Sequence, residues 1–393
     1  MPKKKQILEG SRAIALTVKN IGPAVVSAYP ITPQTHIVED LAKLKARGEA
    51  DFEYVRAESE FAAASIVLGA SATGVRTYSA TSSQGLLLMT EVIYNIAGMR
   101  LPVVMTCANR AVSAPINIWN DHSDVMSVRD AGWIQLFAAD NQEAVYQHIL
   151  AYRLAESLRL PVMINVDGFI LTHSYEPVLI PDAKIIKRYL GAYRPSAGTY
   201  LNPADPVTLG AFFTPQHYMA TRENLHDDLK GSLAAIPKEY RALKKTMAFR
   251  GTGNIDNGLI EYYGSKKPAT IIVALGSMVG TIRSAIKNDN KVGLLKVKVY
   301  RPFPATEIAK QLIGAKNIAV IEKAISLGQA GPLFSDIAAS LAAAPAAGRS
   351  ARETRLKNYI VGLGGRDVTE KMMIRIIKDA PKNNDYLKFI EPI

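Results

Sequence analysis

Between residues 10 and 180, short apolar runs alternate with longer segments of helical character, the rhythm of a parallel sheet covered by helices on both faces. Ala24-Val25-Val26-Ser27-Ala28 predicts a buried strand, broken by Tyr29-Pro30-Ile31-Thr32-Pro33. Thr77-Tyr78-Ser79-Ala80 predicts a second, residues 103–107 a third and residues 162–166 a later one. Helices are expected over the Ala-rich stretch 61–72 and over 86–97. Polar and small residues gather just past the strand ends, at 29–35, 56–60, 81–85 and 109–124. Ligands of open α/β sheets bind where strand C-termini and helix N-termini converge, so these four loops are site candidates on topology alone.

The pattern changes over 190–260, where Pro and Gly fall at irregular intervals. A structureless loop of that length is unusual. The segment 190–250 is therefore expected to wrap the first domain, with helical pieces around 219–249. A second α/β rhythm begins at Ala269, with strands predicted over 270–275, 292–300, 317–321 and 358–361. This divides the chain into 1–250 and 251–393. Gly276-Ser277 and Gly362-Leu363-Gly364-Gly365 each follow a strand but lack the Walker lysine and the dinucleotide fingerprint, so both read as tight turns. The Ala-rich stretch 338–347 reads as a surface connection.

Composition narrows the class. The chain has 393 residues, 48% of them hydrophobic and 21% charged, the profile of a soluble globular protein. No apolar run reaches bilayer length, and Met1-Pro2-Lys3-Lys4-Lys5 reads as a solvated tail with no secretory apolar stretch behind it. A cytoplasmic location is expected. The single cysteine, Cys107, excludes an intrachain disulfide and any iron–sulfur cluster held by this chain alone. It ends an apolar run and reads as a buried structural thiol. The six histidines show no close ligand spacing, and no metal site is expected. The net charge of +12 is spread along the chain without a nucleic-acid motif, so no nucleic-acid partner is expected. Its densest cluster, 238–250, reads as one exposed helix face; attraction of acidic proteins or anionic substrates is consistent with it.

Three features could carry chemistry. Glu58-Ser59-Glu60, beside Arg56, precedes a nearly all-apolar helix. Helix capping accounts for such a trio. A carboxylate facing the apolar side would instead gain proton affinity and serve as an acid or hydrogen-bond partner. Thr32 lies between Pro30 and Pro33, which fix the backbone around its hydroxyl; a rigid turn is the plainer reading. Arg110 stands among apolar neighbours, and either pairs with Asp121 or Asp124 or binds an anionic carboxylate bidentately.

Taken together and in order, Tyr29-Pro30-Ile31-Thr32-Pro33, Glu58-Ser59-Glu60, Thr81-Ser82-Ser83-Gln84-Gly85-Leu86, Asn109-Arg110-Ala111 and Asp121-His122-Ser123-Asp124 resemble the alpha subunit of pyruvate/2-oxoacid:ferredoxin oxidoreductases. Asp167-Gly168-Phe169, Arg301-Pro302-Phe303-Pro304 and Gly364-Gly365-Arg366-Asp367 continue the likeness over nearly the whole chain. The resemblance implies a doubly wound thiamine-pyrimidine-binding domain over 1–250 and a transketolase C-terminal-like α/β domain over 251–393. It implies oxidative decarboxylation of a 2-oxoacid to acyl-CoA, with thiamine diphosphate as cofactor. Glu60 would hydrogen-bond the aminopyrimidine and favour the tautomer that removes the thiazolium proton. Pro30, Ile31, Ser83 and Gln84 would line the cofactor site, Thr32 would bind the substrate ketone, and Arg110 the 2-oxoacid carboxylate.

The chain has no Gly-Asp-Gly segment followed by Asn at the spacing that holds magnesium and diphosphate. The resemblance therefore implies a beta subunit supplying Mg2+ and the diphosphate contacts, gamma and delta-type subunits for coenzyme A and the iron–sulfur clusters, and ferredoxin as acceptor. Phe61 and Asn120 stand where relatives commonly carry His and Cys, and Trp119 is adjacent. These three make a branched-chain or aromatic 2-oxoacid the alternative to pyruvate, whereas Thr32 in place of an arginine disfavours an oxalate-type substrate. A complete transketolase-like enzyme and a non-catalytic scaffold subunit are the rival readings.

Overall fold

A computed structural model describes residues 5–344, 354–383 and 385–392. Met1 to Lys4 of the lysine tail and residues 345–347 of the Ala-rich stretch lie outside the described residues. The first sheet has the strand order Val299–Arg301, Ile134–Phe137, Val162–Asp167, Val104–Asn109, Thr77–Thr81, Val25–Ala28, Glu53–Arg56. All neighbours run parallel except Val299–Arg301, which pairs antiparallel with Ile134–Phe137. The central strands are buried along their whole length, which is why Thr77–Thr81, Val104–Asn109 and Val162–Asp167 read as continuous rather than alternating runs. Helices Gly10–Ile21, Thr35–Ala46 and Asn141–Leu158 pack together, and Glu60–Ala72 packs with Thr90–Gly98.

The second sheet has the order Leu387–Phe389, Arg355–Ile360, Asn317–Glu322, Thr270–Ala274, Val292–Val297, Ile260–Gly264, Ile255–Asp256. It is parallel up to Val292–Val297 and antiparallel beyond. A separate ribbon pairs Gln6–Glu9 with Tyr175–Val178.

Three expectations are corrected. The single strand over 292–300 is two: Val292–Val297 stays in the second sheet, and Val299–Arg301 crosses to edge the first. The helical pieces around 219–249 are one helix, Pro215–Met247, whose buried face carries Leu225, Ser232, Ile236, Tyr240, Leu243 and Met247. Pro237 lies within it without ending it. Of the Ala-rich connection, residues up to Ala343 belong to the helix Pro332–Ala343.

The two sheets are joined through a buried polar cluster. Asp167, at the end of a first-sheet strand, lies 2.8 Å from His122 Nε2 and 2.9 Å from Lys323 Nζ, and accepts a hydrogen bond from Ser277 Oγ. Burial alone would raise the Asp167 carboxyl, but Lys323 and His122 outweigh it and hold the group far below the ordinary carboxylate range. Gly276 is needed beside it: its φ is +72°, and a Cβ there would come within 2.8 Å of Asp167 Oδ1.

Candidate active site

Each of the four loops marked by the sequence follows a parallel strand of the first sheet on its C-terminal side. Ser59 caps the helix Glu60–Ala72 by accepting a hydrogen bond from the Ala62 N–H at 3.1 Å. Capping falls to Ser59, so Glu60 is released from that task. Glu58 is exposed and Glu60 is buried at 8% exposure. No hydrogen bond reaches the Glu60 carboxylate among the described residues.

What Glu60 faces is set by Gly85. A Cβ on Gly85 would stand 2.7 Å from Glu60 Oε1 and 2.6 Å from Thr81 Oγ1, so the carboxylate lies directly over the helix Ser83–Leu88. Thr81 Oγ1 and Gln84 Nε2 are both buried without a hydrogen-bond partner among the described residues. A buried polar atom left unpaired costs roughly 1–3 kcal/mol, so the unpaired Thr81 Oγ1 in the same corner as an unpartnered carboxylate, with a second unpaired atom on the residue next to Gly85, marks a place built for a ligand's donors and acceptors. That set fits a heteroaromatic ring bearing ring nitrogens and an amino group, as in the pyrimidine of thiamine diphosphate.

Asp124 joins this corner to Arg110. Its carboxylate accepts the backbone N–H of Ser83 at 3.0 Å and of Arg110 at 2.9 Å. Burial pushes Asp124 up to about 6, against the pull of these backbone donors. Ser83 is held at a φ of 48°, and its Oγ donates to the Ala111 carbonyl at 2.6 Å. The Arg110 guanidinium forms no ion pair with Asp121 or Asp124: Nε donates to the Asn117 carbonyl at 2.8 Å and Nη1 to the Thr32 carbonyl at 2.9 Å. Asp121 instead bonds Ser123 Oγ and the Gly364 N–H. A guanidinium held by two neutral carbonyls keeps its charge available to an anion.

Thr32 is exposed, and its hydroxyl has no partner among the described residues. Pro30 is exposed and Ile31 half-buried; the Ile31 N–H donates to Gln34 Oε1 at 3.3 Å. Gln34, which the sequence did not single out, anchors this loop by donating to the Ala80 carbonyl at 2.8 Å. The structure thus links Glu60, Ser83, Gln84, Arg110 and Thr32 through direct contacts and the shared Asp124.

The three expected pocket residues part company. Phe61 is exposed at 41%, and Trp119 is exposed at 51% with its ring 4.5 Å from that of Phe169. Asn120 is buried, with Nδ2 donating to the Asn109 carbonyl at 3.1 Å and Oδ1 accepting from Lys323 Nζ at 2.7 Å. One end of that amide is tied to the junction cluster through Lys323 and the other to the strand end at Asn109, so Asn120 positions Lys323. The turn 362–365 clamps the same loop, the Gly365 N–H donating to the Asn120 carbonyl at 2.7 Å. Cys107 is buried against Asp124, and burial drives its thiol well above the ordinary range.

Residues 17–240 match the pyruvate flavodoxin/ferredoxin oxidoreductase, thiamine diphosphate-binding domain, and residues 269–373 match pyruvate:ferredoxin oxidoreductase core domain II. The first sheet therefore belongs to a thiamine diphosphate-binding domain. The chain is a member of the pyruvate flavodoxin/ferredoxin oxidoreductase family. It is 43% identical over 387 residues to pyruvate synthase subunit PorA of Methanocaldococcus jannaschii, covering 97% of this chain and 96% of that one. It is 36% identical over 387 residues to ketoisovalerate oxidoreductase subunit VorA of Pyrococcus horikoshii, covering 96% of this chain and 94% of that one. Its fold is that of a 2-oxoglutarate:ferredoxin oxidoreductase from Magnetococcus marinus, with a TM-score of 0.68 at 20% identity, over 97% of this chain and 66% of that chain. Among the described residues no helix is long and apolar enough to cross a membrane.

Proposed function

We propose that this chain is the alpha-type subunit of a multi-subunit, coenzyme A-dependent 2-oxoacid:ferredoxin oxidoreductase whose substrate is pyruvate. The observation that carries the reading is the buried, unpartnered Glu60 carboxylate over Gly85, with the unpaired Thr81 Oγ1 in the same corner. Thiamine diphosphate supplies, when bound, the nucleophilic carbon and the electron sink for decarboxylation. Glu60 would hold a proton against a nitrogen of the bound pyrimidine, and Thr81 Oγ1 and Gln84 Nε2 would supply further hydrogen bonds to hold the cofactor. Arg110 binds the substrate carboxylate, its guanidinium aimed by the Thr32 and Asn117 carbonyls. The Thr32 hydroxyl donates to the substrate's keto oxygen, where charge develops. The sequence lacks the magnesium and diphosphate half-site, which supports a beta subunit completing it, with a gamma-type subunit assisting coenzyme A and a ferredoxin-like, delta-type subunit carrying clusters toward ferredoxin.

The 43% identity to a pyruvate synthase subunit favours pyruvate. The exposed Trp119 and Phe61, with the 36% identity to a ketoisovalerate oxidoreductase subunit, favour a branched-chain 2-oxoacid as the second reading. Purifying the complex from its native source and assaying it anaerobically with coenzyme A separates them. Highest kcat/KM on pyruvate supports the first reading and highest kcat/KM on 2-oxoisovalerate the second. No reduction of the acceptor with any 2-oxoacid overturns both.

A further inference from the structure

Glu9, His36 and His173 are scattered over the sequence and meet in the fold, their ligand atoms all within 4.8 Å of one another. Glu9 ends the strand Gln6–Glu9, His36 lies in the first turn of the helix Thr35–Ala46, and His173 sits in the turn after Val162–Asp167. His36 Nδ1 is 2.6 Å from Glu9 Oε1, and the two imidazoles face each other with ring centroids 4.5 Å apart at 34°. No lysine or arginine pairs with Glu9 among the described residues. We propose that Glu9, His36 and His173 bind one divalent transition-metal ion of the zinc class.

Two imidazoles and a carboxylate are the donor set that zinc and its neighbours take, whereas magnesium and calcium call for oxygen ligands throughout. The outer contacts are those that orient such ligands. Thr172 Oγ1 lies 2.7 Å from His173 Nδ1, which leaves Nε2 as that ring's ligand atom. Thr172 is itself fixed by the Phe169 N–H, which donates to Oγ1 at 2.8 Å. The Tyr175 hydroxyl reaches the second Glu9 oxygen at 3.5 Å. A bare hydrogen bond between His36 and Glu9 accounts for one of these contacts, but not for a second imidazole tilted against the first with its far nitrogen held.

An ion here ties the amino-terminal strand to two elements of the candidate active site. His36 follows Thr32 by four residues, and His173 packs on Phe169, with ring centroids 4.8 Å apart, whose other neighbour is Trp119. Its role is that of a clip on the substrate side of the site, and it does not depend on which cofactor or 2-oxoacid the site takes.

The test uses the full chain without a polyhistidine tag, freed of metal and titrated with Co2+ and then Zn2+. This chain carries no cluster to mask the visible spectrum. One Co2+ per chain with ligand-field absorption, displaced by Zn2+, is expected, together with a higher unfolding temperature in the zinc form. His36→Ala, His173→Ala and Glu9→Gln should each weaken binding by more than the about 10–100-fold lost with an outer-shell partner. His226→Ala, at an exposed position away from the trio, should bind as the parent does. The His36 side chain is 48% exposed, so His36→Ala is expected to fold even if His173→Ala does not. Absence of the cobalt spectrum, or equal affinity in parent and His36→Ala, overturns the proposal.

Discussion

Replacing Gly85 by alanine should separate the fold from the cofactor site. The added methyl would meet Thr81 Oγ1 at 2.6 Å, Glu60 Oε1 at 2.7 Å and Glu60 Cγ at 2.8 Å, where ordinary contact begins near 3.4 Å. Something must move by several tenths of an ångström. Thr81 is fixed inside a fully buried strand, whereas the Glu60 carboxylate is tethered by no hydrogen bond, so Glu60 yields. Gly85 lies in the helix Ser83–Leu88 without a left-handed φ, so alanine gains about 1 kcal/mol of helix propensity there. Overpacking costs about 1–3 kcal/mol and is relieved by the swing of Glu60. The two nearly cancel, and the unfolding temperature should change little. The displaced carboxylate, however, forfeits a charged hydrogen bond to the cofactor worth about 1.5–3 kcal/mol, which is roughly a tenfold to hundredfold loss of affinity. Calorimetric titration of the cofactor-depleted complex with thiamine diphosphate, beside thermal unfolding, measures both. Parental affinity in Gly85→Ala at an unchanged unfolding temperature would refute the placement of Glu60.

Three further outcomes follow from the same geometry. Lys323→Met leaves Asp167 charged and fully buried, and should cost about 3–5 kcal/mol in chemical denaturation of the chain; an unchanged midpoint would contradict the role given to the junction cluster. Burial raises the Glu322 carboxyl from its ordinary 4.5 to about 7, so its contribution to stability is complete below 4.5 and lost as pH rises through about 7. The denaturation midpoint of the parent should therefore fall between about pH 5 and 7 more steeply than that of Glu322→Gln, and parallel profiles would contradict the assignment. Arg110→Lys keeps the charge but loses the two carbonyl tethers, so KM for the 2-oxoacid should rise about tenfold or more with stability retained; an unchanged KM places the substrate carboxylate elsewhere.

The parts of the fold legible in the sequence are those where burial is total. Thr77–Thr81, Val104–Asn109 and Val162–Asp167 are inaccessible on both faces, and their apolar runs announce them. Short or half-exposed strands such as Glu53–Arg56 and Ile255–Asp256 carry no such run and pass unseen. The crossing at residues 297–299 was invisible for another reason: one apolar run serves two sheets, and only tertiary pairing tells them apart. At the candidate site, residue type and loop position were enough to draw attention to Glu60, Thr32 and Arg110. Partnership was not readable. Asp124, one of the two carboxylates open as a counter-ion for Arg110, is bonded to its backbone N–H, and the bond from Lys323 to Asn120, 203 residues away, has no signal in the sequence. Likewise His36 and His173 show no ligand spacing, because only tertiary structure brings them together: Glu9 pairs with Tyr175 in the separate ribbon, and His36 opens the helix after Val25–Ala28.

The central claim is that Glu60 holds the proton on which cofactor activation depends. Glu60→Gln preserves the shape of the side chain and removes that capacity, so the measurement is single-turnover decarboxylation by the assembled complex at saturating thiamine diphosphate. The account predicts normal assembly and bound cofactor with the rate down by about 10²–10⁴. A near-parental rate in fully loaded Glu60→Gln would contradict it.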